Sequence, residues 1–297
     1  MTMLIDAAKN RDELFSSLGG IEVRVPGRAD GRTKEHKERS TICRLLSSLA
    51  QADELIYPLS AEQTAPPDPD FILNLGSVPI GVEVTEATSD AYSEYLTFAA
   101  KRERAFPEKS FALIEPASFR PGAWKRARHQ EDRIDAMEAE ANKRRLTSEG
   151  WSGNEPEHEW ANYVIEAAQR KTKRVSAYFS RCQKVWLLVY VNAPLPNIHF
   201  EDALSVMIPE VENFWRQDQW FDVLHIVDGS TIISVKPDGC SKMPVHDLWN
   251  SKTPLNDLND AISAESDQAL WDKVVRAELR ETEFGFEDDE DESSKES

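Results

Sequence analysis

"PPDPDFILNLGSVPIGVEVTEA" (residues 66–87) reads as two short β-strands joined at "GSV", with two acids in unexpected places. Asp70 opens the first apolar run directly after Pro69, and Glu83 interrupts the second between Val82 and Val84. Strand side chains alternate between faces. Ile80, Val82 and Val84 therefore share one side, and Gly81, Glu83 and Thr85 the other. Burying a carboxylate costs several kcal/mol unless it is paired or binds a cation. If the two strands pair, Asp70 and Glu83 converge at one sheet edge. Three carboxylates around one point would repel unless a cation sat among them, and the third could come from the helix upstream.

That helix is predicted over "KEHKERSTICRLLSSLAQ" (34–51), where Ile42, Leu45, Leu46 and Leu49 recur at helical spacing. Glu38 continues the core-facing stripe toward the N-terminal end, and Glu35 lies on nearly the same line. Either glutamate could join the acids, or both could serve the positive end of the helix dipole. A second amphipathic helix is predicted over 159–179. At 3.6 residues per turn, Trp160, Val164, Ala167, Val175 and Tyr178 form one face, with Lys171 in its middle and Arg170 and Lys173 elsewhere. A lysine there either snorkels to a rim or reaches into a site. "KVWLLVYVNA" (184–193) is uniformly apolar, as a sheet's central strand covered on both faces should be. A short strand at "DELIYPL", a helix near 200–216, strands at "FDVLHIVD" and "TIISVKP", and a C-terminal helix near 256–280 complete the expectation. The N-terminus reads as a loose segment.

The chain has 297 residues, is 40% hydrophobic and contains eight Trp, which suits one large α/β domain over about 1–280. Residues 88–158 are charged and read as a helical insertion between core segments at about 33–87 and 159–237. No apolar run is long enough to span a membrane. Acids stand where a signal peptide needs its apolar stretch, and Cys43, Cys182 and Cys240 are scattered. A reducing cytoplasm is therefore the expected compartment.

The formal charge is −18, but the tail 281–297 holds nine acids and one Lys, and is expected to be disordered. Segments 101–145 (twelve basic, eight acidic) and 159–184 (six basic, two acidic) are each net +4, compatible with a phosphate-facing surface. Asn154 and His158 lack the paired histidines of an HNH site. His225 reads as a core histidine, Cys182 as a small hydrophobe, and Trp124, Trp151 and Trp160 as packing residues. Glu86, on the valine face, is expected to cap the strand or pair with a base such as Lys101. No GxSxG, Walker A or GxGxxG pattern occurs.

Helix with Glu, hairpin strands carrying Pro69-Asp70 and then Glu83-Val84-Thr85, helix with Lys, apolar strand: this order resembles the core of the PD-(D/E)XK nuclease superfamily. The wording "PDFIL…IGVEVTE" also resembles a bacterial group within it. The resemblance covers roughly 33–87 and 159–193. It implies a restriction-endonuclease-like αβββαβ core with a mixed central sheet flanked by helices, and Mg²⁺-dependent (or Mn²⁺-dependent) endonuclease activity on DNA. The implied metal ligands are Asp70, Glu83, Glu38 and the Val84 carbonyl; oxygen-only donors also favour these ions over zinc.

One departure matters: Thr85 stands where the family motif has Lys. Either the lysine has moved to the following helix, as Lys171, or the site has lost its chemistry. The expectation favours retained catalysis by Asp70, Glu83, Glu38 and Lys171. The alternative is a degenerate nuclease fold that binds protein or nucleic acid, with the acidic tail contacting a protein partner. A homodimer is compatible with either.

Overall fold

The computed structural model describes residues 2–27, 30–88, 90–105, 153–193, 195, 197–216 and 220–249. The bulk of the expected insertion, the C-terminal helix near 256–280, the acidic tail, Trp124 and Trp151 lie outside these residues. The described elements run β1 (Thr2–Ala8), α1 (Arg11–Gly19), α2 (Lys34–Gln51), β2 (Leu59–Gln63), β3 (Phe71–Leu75), β4 (Val78–Ala87) and α3 (Asp90–Ala105). They continue with α4 (Glu155–Tyr178), β5 (Lys184–Val191), α5 (Phe200–Trp215), β6 (Val223–Asp228), β7 (Thr231–Lys236) and β8 (Gly239–Pro244).

The strands form one mixed sheet in sequence order. β1 to β4 make an antiparallel meander, β4, β5 and β6 run parallel, and β6 to β8 are antiparallel again. The parallel pairs require crossovers, which α4 and α5 supply. The fold class is therefore α/β.

Alternation in the central strands assigns the two faces. Val82 and Val84 of β4, with Trp186 and Leu188 of β5, pack among Ile42, Leu45, Leu46 and Leu49 of α2. Val185, Leu187 and Val189 pack on the other face against Trp160, Val164 and Val175 of α4 and Met207 of α5. All of β5 after Lys184 is buried. Each fully buried aliphatic side chain here contributes roughly 1.5–3 kcal/mol.

α2 starts where a capping box forms: the His36 N–H donates to Thr33 Oγ1, and the Thr33 N–H donates to His36 Nδ1. The β3–β4 turn needs a glycine, since Gly76 has φ +62° and its N–H donates to the Pro58 carbonyl at 2.9 Å.

Three expectations need correction. The N-terminal segment is not loose: it forms edge strand β1 and a helix capped by Asn10, whose Oδ1 accepts the Glu13 N–H. Only Ile5 and Ala8 of β1 are buried, so its apolar signal is weak. The strand expected at "DELIYPL" lies later, starting at Leu59 after Pro58, which has no N–H for a ladder. β8 went unforeseen because Met243 is its one buried residue. All three cysteines are free, and among the described residues no helix is long and apolar enough to cross a membrane.

Candidate functional site

The site forms where β3 parts from β4. Their ladder runs from Leu75↔Val78 to Phe71↔Val82, while β4 continues beside β5 as far as Ala87↔Val191. Past Val82, among the described residues, no strand pairs with the β3-side edge of β4. Asp70 takes over one hydrogen bond: its Oδ2 accepts the Val84 N–H at 2.8 Å. The carboxylate thus substitutes for a strand carbonyl, which fixes its direction.

Asp70 Oδ1 faces the Lys34 ammonium at 3.1 Å, and the same ammonium pairs with Glu38 one turn along α2. Glu38 is 5% exposed. Burial, then the charge of Asp70, push its carboxyl up to about 7, against the pull of Lys34 and Lys171. Burial alone would lower Lys34, but Glu38 and Asp70 hold it above its ordinary value.

Glu83 lies on the α4 face and is 1% exposed. Lys171 Nζ donates to its Oε1 at 2.6 Å and the Tyr178 hydroxyl donates to its Oε2 at 2.8 Å. Burial, then Glu83, push the Tyr178 phenol well above its ordinary range. Lys171 bears on Glu38 and Asp70 on Tyr178, so the groups from α2, β3, β4 and α4 share one electrostatic neighbourhood.

The structure thus brings Asp70 and Glu38 together through Lys34, and Glu83 together with Lys171 and Tyr178, the two sets being linked electrostatically, while the Val84 N–H anchors Asp70. Glu35 is exposed and takes no part. Arg170, expected to point elsewhere, reaches the end of β4 and donates to the Glu86 carbonyl at 3.1 Å.

Glu86 is on the valine face as parity requires, but its partner is Lys37 of α2 rather than Lys101. The Tyr190 hydroxyl donates to it at 2.8 Å and Asn192 Nδ2 at 2.5 Å. Burial pushes this carboxyl up; Lys37, Asn192 and Tyr190 together hold it below the ordinary range. His225 is a core histidine, with Nδ1 2.8 Å from Ser234 Oγ and burial lowering its pKa to about 3.

Two residues of the site were not read as such in the sequence: Lys34 was not noted, and Tyr178 was placed only on the core face of its helix. Lys34 stands four before Glu38, the spacing of a helical ion pair. Tyr178 stands seven after Lys171, two turns along the same stripe. Both signals were present but pointed equally to ordinary surface and core roles.

A divalent cation fits this donor set in part. The chemistry is oxygen-only, and a cation already bridges Asp70 and Glu38, namely the Lys34 ammonium. Glu83 is committed to Lys171 and Tyr178, and among the described residues no three His, Cys, Asp or Glu side chains are grouped as metal ligands. No family model, curated protein or solved structure matches the chain.

Proposed function

We propose that this protein is a metal-dependent phosphodiesterase of the restriction-endonuclease-like kind, acting on DNA. The observation that carries the reading is Lys171, delivered by the crossover helix α4 onto Glu83 beside Asp70 and Glu38. It supports a lysine that has moved from strand to helix, leaving Thr85 in the motif position. The order α2, β2–β3–β4 meander, α4, parallel β5 supports the αβββαβ core.

Asp70 and Glu38 would hold Mg²⁺ or Mn²⁺, joined by Glu83 and by the Val84 carbonyl, which shares the open strand edge with its N–H. A bound divalent ion supplies phosphate polarisation, a lowered water pKa and charge stabilisation. The chain's own groups do the rest. The Val84 N–H fixes Asp70, Tyr178 fixes Glu83, and the Lys171 ammonium orients the attacking water or offsets charge at the phosphate. Arg170, Lys173 and Arg174 on the neighbouring turns of α4 contact the phosphate backbone, an interaction that weakens as salt rises.

A second reading is favoured by one observation: Asp70 and Glu83 each already have a lysine partner and a hydrogen-bond donor. A degenerate nuclease fold acting as a binding module would look the same. The discriminating experiment is cleavage of supercoiled, linear and single-stranded DNA with Mg²⁺ or Mn²⁺, comparing wild type with folded Glu83→Ala and Lys171→Ala. Metal-dependent cutting lost in both variants supports the enzyme. No cutting, with no metal-induced rise in melting temperature, leaves the binding module.

A further inference from the structure

We infer that Lys34 is a built-in counter-cation, occupying between Asp70 and Glu38 the seat that a divalent ion takes when the site is loaded. The inference rests on reading those two acids as cation ligands. Its basis is an asymmetry in the ion pair. The two acids are nearly enclosed, with side chains 14% and 7% exposed, whereas the Lys34 side chain is 61% exposed. The anions belong to the fold and the cation reaches in from solvent.

Asp70 cannot turn away, because its Oδ2 is held by the Val84 N–H. Glu38 sits on the buried stripe of α2, one turn beyond Lys34. Lys34 is the first residue of that helix and can swing its ammonium into water by side-chain rotation alone. Lys171 differs: it is 17% exposed and its partner Glu83 is 2% exposed, so that pair is part of the interior. Of the two lysines at the site, Lys34 is the replaceable one.

The chemistry follows from charge. Two carboxylates this enclosed repel each other unless a positive charge lies between them. The ammonium supplies one such charge and lets the site fold without metal. Asp70 and Glu38 would hold a divalent ion, with its two charges, only once the Lys34 ammonium had left and its contacts with both acids were broken. Binding is weakened by that competition.

The test uses the full chain and Mn²⁺ alone as probe, with binding followed by electron paramagnetic resonance of free Mn²⁺ and by the rise in melting temperature. Wild type is compared with Lys34→Met, Lys34→Arg and Asp70→Asn. Lys34→Met keeps stem length at a solvent-facing position, and Lys34→Arg keeps the charge.

Lys34→Met is expected to bind Mn²⁺ roughly two- to fivefold more tightly than wild type, the scale set by a partly exposed ion pair. Lys34→Arg stays close to wild type, and Asp70→Asn loses the binding. Equal Mn²⁺ affinity in wild type and Lys34→Met would overturn the counter-cation role and leave the metal reading standing. Absence of binding in both would overturn the two together.

Discussion

Replacing Glu38 by Gln isolates the energetic consequence of burying an acid on α2. In the folded protein burial, reinforced by Asp70, raises this carboxyl from an ordinary 4.5 to about 7. Between those two values the folded chain keeps a proton that the unfolded chain has released. Stability therefore falls as pH rises through this window, and above about 7 the deficit is constant. At about 1.4 kcal/mol per pH unit the full span caps the penalty near 3 kcal/mol. Solvent reaching the pair through the exposed Lys34 screens part of this, leaving about 1–2 kcal/mol. The amide carries no such penalty. In urea denaturation without divalent metal, Glu38→Gln should gain about 1–2 kcal/mol on wild type between pH 5 and pH 8. Its offset at pH 5, where the wild-type carboxyl is largely protonated, is the baseline for any cost of accommodating the amide. Parallel stability curves for the two proteins across this range would refute a buried, proton-holding Glu38.

Three further outcomes are expected. Lys171→Met leaves Glu83 as an enclosed charge without its cation and should destabilise by about 3–5 kcal/mol; Tyr178→Phe removes one donor and should cost about 1–3 kcal/mol, so equilibrium unfolding should rank the two in that order. A methyl group at Gly81 would stand 3.0 Å from Pro69 Cγ and 3.1 Å from Cys182 Sγ. Gly81→Ala should therefore lower stability by about 1–3 kcal/mol, read in the same assay, and displace Asp70 through its neighbour Pro69. Asp228, which accepts the Trp160 indole N–H at 2.7 Å, is raised by burial to about 6. Asp228→Asn should flatten the fall in stability as pH rises from about 4 to 6, measured by thermal melts against wild type.

How much of this was legible depends on how local each signal is. The stripe of Ile42, Leu45, Leu46 and Leu49 placed α2 correctly because helical period and buried face coincide there. Alternation in β4 assigned Glu83 and Glu86 to opposite faces, and winding α4 set Lys171 on the stripe that meets Glu83. Each inference needed only one element's own geometry. The partner of Glu86 was misread because the approach of Lys37 depends on where α2 crosses β4, a tertiary fact. β1 and β8 escaped notice because edge strands with few buried residues carry little apolar pattern.

What turns these separate elements into a site is the edge of β4 beyond Val82, which no strand among the described residues pairs. An open strand edge within a sheet leaves backbone groups that need partners. Here side chains supply them: Asp70 accepts from the Val84 N–H, and Arg170 donates to the Glu86 carbonyl. The gap also lets the two faces of the sheet communicate. Lysines from α2 on one face and from α4 on the other reach acids within a few residues of each other. Had β3 continued beside β4 past Val82, its backbone would have taken the place at this edge that the Asp70 carboxylate now fills. The position of Pro69 is consistent with this: a residue lacking an N–H ends the ladder, and the next side chain, Asp70, takes up the first hydrogen bond that the missing strand would have made.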